Sequence, residues 1–263
     1  MSFIHEMAKP GLPLQGVEVI DAHGHIGNTN CFNNPRNTAE DILRNMDRLG
    51  IDSACISNLA SLQGDYIRGN DLVIETVTKY PGRFYGYAVI NPNYPDSAPG
   101  ELRRCLAVDG IRGIKLHPAG HECLPDHKNY NAVYEFADTN KLPVLIHTWG
   151  TADVAAVRNV APRYPGANMI MAHSGADLRG MEAAIELIKE YNNVYGDFAI
   201  SLTYEGNVEW FVNEVGSKKV LYGTDMPYFN PAPTLGRIAM AQISDVEKRD
   251  ILGLNIKSLL KLA

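Results

Sequence analysis

Hydrophobic and polar positions follow two different rhythms along this 263-residue chain. Short apolar runs rich in β-branched residues are separated by longer segments in which apolar residues recur every three or four positions. The first rhythm is typical of buried strands and the second of amphipathic helices, so the pattern predicts repeated βα units around a parallel sheet. The eight apolar runs are Val17–Ala22, Ser53–Leu59, Phe84–Ile90, Ile111–Leu116, Pro143–Ile146, Asn168–Ala172, Asn193–Ala199 and Lys219–Tyr222.

Four segments between these runs have the spacing of a helix with one buried face. Thr38 stands immediately before the first of them, where a threonine can act as the N-cap. The four stripes therefore predict helices whose apolar faces pack against the sheet. They consist of Ala39, Ile42, Leu43 and Met46; Tyr130, Val133, Tyr134 and Ala137; Leu178, Met181, Ile185 and Ile188; and Val208, Phe211, Val212 and Val215.

Eight βα units in a chain of this length match the size of a (β/α)8 barrel, the TIM barrel. A doubly wound open sheet is the alternative, but the first run lacks the Gly-X-Gly-X-X-Gly turn that such folds use for dinucleotides. No linker or change in composition divides the chain. We therefore expect a single α/β barrel domain over residues 1–263, with residues 1–16 as an irregular N-terminal lead.

Composition narrows the class of protein. The formal net charge is −6 and no predicted helix carries a Lys/Arg cluster, which disfavours nucleic acid and anionic membranes as partners. No apolar stretch is long enough to span a bilayer, and residues 2–15 do not resemble a signal peptide. The four cysteines form no Cys-X-X-Cys pair. We expect a cytoplasmic protein that binds a small-molecule substrate, with homodimer formation left open.

Side chains that can bind a metal collect where the predicted strands end. The carboxyl ends of barrel strands share one rim, which is where barrel enzymes carry their chemistry. His23 and His25 lie two positions apart, so both point to one face of the first strand. Imidazole ligands suit zinc foremost, with manganese or iron as alternatives. The rim residues are His23 and His25, then Lys115 and His117, then His147, His173 and Asp225.

These groups predict a catalytic site with one or two divalent ions. Three neutral imidazoles and one carboxylate leave a position for water, and a metal lowers the pKa of that water from about 15.7 to about 7. A neighbouring carboxylate or imidazole can then accept or deliver a proton. Asp21 lies on the same face as His23. It either fixes a histidine tautomer or is a buried structural carboxylate, and the sequence leaves both alternatives open.

Taken in order, these motifs resemble the amidohydrolase superfamily, and in particular the amidohydrolase-related branch that includes aminocarboxymuconate-semialdehyde decarboxylase. The resemblance covers nearly the whole chain, and it is specific for the superfamily rather than for a substrate. The motifs are Asp-Ala-His-Gly-His at 21–25, Gly-Ile-Lys-Leu-His-Pro at 113–118, His147, His173, Gly-Thr-Asp-Met-Pro at 223–227 and Ile-Leu-Gly-Leu-Asn at 251–255.

The resemblance implies a role for each rim residue. His173 is implied to be the catalytic acid/base, or an alternative metal ligand, while Asp225 is implied to act both as ligand and as proton acceptor. The implied metal ligands are His23, His25, His147 and Asp225.

The role of Lys115 stays open, because binuclear members of the superfamily carry a carboxylated lysine on the fourth strand. We favour a mononuclear site in which Lys115 and His117 face the pocket. The alternative is that Lys115, His117 and His173 belong to a second metal site or contact the substrate. Together with Arg36, Lys115 and His117 would suit a carboxylate-bearing molecule.

Aromatic and amide residues after the strands are candidates to line the pocket, although ordinary packing at the rim explains each of them equally well. The long loop 27–37, which contains Cys31, is expected to cover the site. The candidate lining residues are Asn91, Tyr94, Trp149, Tyr228 and Phe229.

Three functions fit these residues. The main prediction is a hydrolase in which metal-activated water attacks an amide, cyclic imide or lactone, with Asp225 taking the proton and His173 assisting the leaving group. The alternative is a lyase that removes CO2 from an aromatic or unsaturated acid on the same site. A metal-binding protein without activity is disfavoured, because every expected catalytic position is filled. Spacing alone does not separate hydrolysis from decarboxylation, since both use one ligand set.

Overall fold

The computed structural model describes residues 2–29, 34–200 and 204–263. Cys31 of the predicted covering loop therefore lies outside the described residues. Eight parallel strands form one sheet in sequence order, each hydrogen-bonded to the next. They are β1 (Ile20–Ile26), β2 (Ser53–Asn58), β3 (Phe84–Val89), β4 (Ile111–Leu116), β5 (Pro143–His147), β6 (Asn168–Ala172), β7 (Val194–Asp197) and β8 (Val220–Leu221).

Backbone hydrogen bonds between β1 and the residues that follow β8 close the sheet into a barrel. The amide of Ala22 donates to the carbonyl of Tyr222 at 2.8 Å, and the amide of His25 donates to the carbonyl of Met226 at 2.7 Å. Each parallel crossover carries its connecting helix on the outside, as this topology requires. The predicted TIM barrel is confirmed.

The helices of the described residues follow the strands as the periodicity predicts. They are α1 (Phe3–Ala8), α2 (Ala39–Leu49), α3 (Tyr66–Lys79), α4 (Ala98–Leu106), α5 (Pro118–His121), α6 (Asn131–Asn140), α7 (Thr151–Val160), α8 (Leu178–Glu190), α9 (Asn207–Val215), α10 (Pro231–Met240), α11 (Asp245–Arg249) and α12 (Asn255–Leu259). No helix in this part of the chain is both long and apolar enough to cross a membrane.

Local sequence explains where α2 begins and ends. The Thr38 hydroxyl accepts the Asp41 amide, and the Asp41 carboxylate accepts the Thr38 amide, so the two form a capping box. Gly50 ends the helix with φ 71°, a conformation that glycine adopts without strain. Leu178 departs from its predicted stripe and is 49% exposed, because it is the first residue of α8 and lies at the edge of the buried face.

The apolar core has two parts. The larger part lies between the strands and the surrounding helices. The smaller part fills the barrel interior and includes Ile20, Ala22, Tyr87 and Ile170, with Ile256 of the C-terminal helix packed beneath them. Because these apolar side chains fill the lower interior, the polar side chains of the strand ends collect at the opposite rim.

The structure differs from the prediction in the bounds of the first strand and in the N-terminal lead. Strand β1 begins at Ile20, because the Val19 amide donates to the Asp52 side chain instead of to a neighbouring strand. It extends to Ile26, so His23 and His25 lie within the strand. The lead 1–16 contains helix α1, whose N-terminus is capped by the Ser2 hydroxyl.

Candidate metal centre

Strand β1 and the end of β8 bring three metal-compatible side chains together. Nε2 of His25 lies 2.9 Å from Oδ1 of Asp225, and Nε2 of His23 lies 3.6 Å from the same oxygen. One ligand atom from each residue lies within 4.8 Å of the others, and all three residues are buried. Two imidazoles and a carboxylate at this spacing fit one divalent ion.

Asp197 on β7 sets the tautomer of His23. Its Oδ2 lies 3.0 Å from Nδ1 of His23, so the imidazole donates there and keeps the Nε2 lone pair toward the metal position. Its Oδ1 accepts the backbone amides of His173 and Ala199. Burial raises the pKa of Asp197 to about 7, although these hydrogen bonds lower it. Sequence reasoning missed this residue, whose only signal is a lone carboxylate at the end of the seventh apolar run.

His173 follows β6 and faces the same site. Its Nδ1 lies 2.7 Å from the Ala199 carbonyl, and its Nε2 lies 3.2 Å from Nδ1 of His147. His173 also forms a second group with His23 and Asp197 that could hold an ion. The nitrogens of His147 belong to neither group found among the described residues. The structure thus brings four predicted ligand or catalytic residues together and places His147 beside them.

Lys115 is completely buried beneath the site. Its Nζ lies 3.0 Å from Nε2 of His23, the atom that also faces the metal position. Burial lowers the pKa of Lys115 to about 8, although the charges of Asp225 and Asp197 raise it. Lys115 is not among the described residues that line the pocket above the site, and its contact with a substrate stays a prediction.

Burial determines the charge states around the metal position. It lowers the pKa of His173 to about 4 and that of His23 well below its ordinary value, the latter with help from the Lys115 charge. Burial raises the pKa of Asp225, but the hydrogen bond to His25 and the charges of His25, His173 and Lys115 together outweigh this effect, so the net pKa is lowered. Neutral imidazoles beside an ionised carboxylate are the forms that coordinate a metal.

The contacts of Asp21 support the second of its two predicted roles, that of a buried structural carboxylate. Its Oδ1 accepts the backbone amides of His23 and Thr224, and its other oxygen accepts the Thr224 hydroxyl. Within the described residues, no hydrogen bond joins its carboxylate to a histidine ring. Asp21 therefore ties β1 to the segment after β8 and positions Asp225 through the backbone.

Backbone strain is concentrated at the same strand ends. The φ angles of His173, Ser174 and Ala176 are 65°, 47° and 65°, and that of Asp225 is 60°. Such angles are unfavourable for residues with a Cβ and persist where surrounding contacts hold them. Here the Asp225 amide donates to the His23 carbonyl at 2.7 Å, and the Ser174 hydroxyl donates to the Asp197 carbonyl.

A cavity of about 540 Å³ opens above this group, a volume that suits a small molecule. The predicted aromatic residues Trp149, Tyr228 and Phe229 line it, together with the rings of His117 and His147. Leu59 and Leu62 add apolar surface.

Three predicted substrate contacts lie outside this cavity. Asn91 is buried, and its Oδ1 accepts the amide of Asn93 in a turn. Tyr94 stacks with Tyr66 at 6.2 Å and lines a separate surface groove. Arg36 is exposed and is absent from the described lining. Asn91 and Tyr94 are predicted from their place after a strand, and the turn after β3 directs them elsewhere.

Comparison with known proteins relates this chain to one family. The amidohydrolase family model matches residues 20–262. Gamma-resorcylate decarboxylase of Rhodococcus jostii is 23% identical, with 74% of this chain and 76% of the relative covered. The 2-amino-3-carboxymuconate-6-semialdehyde decarboxylase of Dictyostelium discoideum is 24% identical, with 73% and 65% covered.

A solved structure agrees in fold. The 5-carboxyvanillate decarboxylase of Novosphingobium aromaticivorans, complexed with manganese and 4-hydroxy-3-methoxy-5-nitrobenzoic acid, superposes with a TM-score of 0.77 at 16% identity. The superposition covers 94% of this chain and 97% of that one. At this identity the likeness shows the shared fold alone. The candidate for a divalent ion in this chain is the group of His23, His25 and Asp225, which does not single out zinc.

These relatives correct the predicted reaction. Hydrolysis was the main expectation, and it is contradicted because the curated relatives are decarboxylases. The error has a physical origin, since a metal held by histidines and an aspartate can serve either reaction and only the substrate distinguishes them.

Proposed function

Because the chain belongs to the amidohydrolase family, we propose that it is a metal-dependent, non-oxidative decarboxylase of an aromatic carboxylic acid. The supporting observation is the buried group of His23, His25 and Asp225, next to His173 and beneath a cavity with aromatic and apolar walls. The names of the curated relatives favour decarboxylation over the other reactions that such a group can serve.

The donor atoms fit a divalent ion held by Nε2 of His23, Nε2 of His25 and the Asp225 carboxylate. Asp197 and the Ser57 hydroxyl face the Nδ1 atoms of the two histidines at 3.0 and 2.9 Å, which directs each Nε2 toward the metal position. Manganese and zinc both accept these nitrogen and oxygen donors. His147 is proposed as a further ligand on the order of the motifs alone.

A bound divalent ion supplies positive charge that binds substrate oxygens and stabilises the negative charge developing as the carboxylate departs. The bond between the ring carbon and the carboxyl carbon breaks, and its electron pair stays on the ring carbon. That carbon takes up one proton, and the carboxylate leaves as neutral CO2. Atoms and charge therefore balance without an oxidant or a reductant.

His173 is placed to carry the proton. Since its Nδ1 lies 2.7 Å from the Ala199 carbonyl, Nδ1 holds a hydrogen and the lone pair is on Nε2, which lies 3.2 Å from Nδ1 of His147. With a pKa of about 4, the ring is neutral at pH 7, and a proton that Nε2 receives from solvent is readily passed on to the ring carbon. Asp225, whose pKa is lowered, stays ionised and acts as a ligand oxygen.

The cavity walls orient the substrate ring. Trp149, Tyr228 and Phe229 offer flat faces, and aromatic pairs favour stacked or edge-to-face contact with an aromatic acid.

The test is a panel of hydroxybenzoates incubated with manganese-loaded and zinc-loaded protein, scored separately for CO2 and for hydrolysis of amides and lactones. We expect CO2 from at least one aromatic acid and no hydrolysis. His173→Asn should retain metal and lose activity by about 100-fold or more, whereas His127→Asn, a substitution away from the cavity, should be unaffected. Hydrolysis products without CO2 would refute the proposal.

A further inference from the structure

The ring of His117 has a fixed tautomer. His117 precedes α5 and caps it, with the Gly120 amide donating to Nδ1 at 2.9 Å. An imidazole nitrogen that accepts a hydrogen bond carries a lone pair, so in the neutral ring the hydrogen resides on Nε2. The contact with the Gly120 amide therefore makes Nε2 the one N–H donor of the neutral His117 ring.

Stacking fixes the direction of this donor as well. The His117 and His147 rings lie 4.2 Å apart between centroids and are inclined by 18°. The His147 and Trp149 rings lie 6.3 Å apart and are inclined by 11°. Three nearly parallel rings, one of them pinned to α5, leave the His117 ring little freedom to rotate.

The Nε2 atom of His117 is available to a ligand. His117 lines the 540 Å³ cavity, and no described group forms a hydrogen bond with its Nε2. A rigid donor on the wall of an apolar cavity binds a ligand acceptor strongly, because little ordering remains to be done when the ligand arrives.

We propose that His117 is a specificity-determining residue that donates its Nε2–H to an uncharged oxygen substituent, a hydroxyl or a carbonyl, on the ring of an aromatic monocarboxylate. This inference rests on the proposed function, because it takes the substrate carboxylate to be the group that meets the metal ligands.

The position of His117 directs the hydrogen bond to a ring substituent and away from the departing carboxylate. The His147 ring contacts both of the other rings, with centroid distances of 4.2 Å to His117 and 4.9 Å to His173. His117 belongs to neither metal-compatible group found in the described part of the chain. A substrate whose carboxylate lies at the metal ligands therefore extends along His147 before it reaches His117.

The charges of the side chains around the cavity favour a ring substituent without a charge. Among the described lining residues there is no lysine or arginine: Lys115 is buried against His23, and Arg36 is exposed outside the cavity. A second carboxylate near His117 would lose its hydration without gaining a cation, which is costly in an apolar cavity.

Binding to manganese-loaded protein tests the ligand side of the proposal. Titration calorimetry would compare benzoate, the three hydroxybenzoate isomers and isophthalate. We expect the best hydroxybenzoate to bind about threefold to tenfold more tightly than benzoate, the ratio expected for one neutral hydrogen bond, and isophthalate to bind no better than benzoate. Equal affinity for benzoate and all three hydroxybenzoates would overturn the proposal, whatever any variant does.

His117→Asn tests the residue itself, because asparagine is also a good N-cap but is too short to reach the position of Nε2. The variant should keep its melting temperature and lose the preference for hydroxybenzoate. Its KM for the hydroxybenzoate should rise about threefold to tenfold, and its kcat should change little. His127→Asn is the matched control, since the exposed His127 caps a turn through Nδ1 by accepting the Asn129 amide. It should keep the preference.

The outcomes separate this inference from the proposed function. CO2 release by a His117→Asn variant that keeps the hydroxybenzoate preference would overturn the role of His117 and leave decarboxylation standing. A preference that depends on His117, without CO2 from any acid, would support the binding role and refute decarboxylation.

Discussion

The carboxylate of Asp197 offers a sharp test of how this site is organised. In Asp197→Asn, the amide oxygen can still accept the backbone amides of His173 and Ala199 at the Oδ1 position. The amide nitrogen then faces Nδ1 of His23, which is a donor when Nε2 coordinates a metal. Two donors cannot share a hydrogen bond, so the substitution removes the contact that holds His23 in its metal-binding tautomer.

The size of the effect follows from that one contact. The bond between Nδ1 of His23 and Asp197 is 3.0 Å long, and both residues are completely buried. A hydrogen bond to a charged group contributes about 1.5–3 kcal/mol, which corresponds to about 10- to 150-fold in a dissociation constant. We therefore expect metal affinity to fall by about 10- to 100-fold, within the range typical of residues behind metal ligands.

Chelator competition with Mn²⁺ and Zn²⁺ measures this change directly. Asp21→Asn is the matched control, because Asp21 is also a fully buried carboxylate and the new amide oxygen can still accept the backbone amides of His23 and Thr224, through which Asp21 positions Asp225. Its side-chain partner is the Thr224 hydroxyl, which can rotate to accept from an amide. Affinity of Asp197→Asn within twofold of the wild-type value would refute the assigned role of Asp197.

Two further predictions concern stability and packing. Burial raises the pKa of Glu101, but hydrogen bonds from Arg104 and Asn70 outweigh it and hold the pKa below its ordinary value. The carboxylate therefore stabilises the fold above about pH 4.3 and ceases to do so as the pH falls through the lowered pKa. In urea unfolding, Glu101→Gln should be less stable by about 1–3 kcal/mol at pH 7 and approach the wild type at low pH; a pH-independent difference would contradict this. In Gly223→Ala, the new Cβ would lie 3.0 Å from Cβ of His23 and 3.3 Å from Cγ of Asp197. We expect metal binding to weaken about tenfold, whereas Gly236→Ala, whose Cβ meets nothing within 4 Å, should bind metal normally.

The barrel could be predicted from sequence because its determinants are local. Apolar runs such as Ile111–Leu116 and Asn168–Ala172 coincide with strands, and Thr38 caps its helix as expected. The family was likewise predictable, since the motif order along the chain matches it and the comparison confirms it.

The site was less predictable because its contacts join residues that are distant in sequence. Asp197 lies 174 positions from the histidine that it orients, and no spacing rule connects the two. Asn91 follows a strand as Trp149 does, yet a turn directs its side chain to Asn93. The reaction itself depends on the substrate, which metal-ligand spacing does not specify.

Isotope labelling tests decarboxylation most directly. The aromatic acid that is turned over fastest, labelled with ¹³C at its carboxyl carbon, would be converted in D₂O by metal-loaded protein and followed by NMR. We predict one ¹³CO₂ for each product molecule and one deuterium on the ring carbon that carried the carboxylate, both lost in His173→Asn. Retention of the ¹³C label in the product, or release of ¹³CO₂ at an undiminished rate by His173→Asn, would contradict the account.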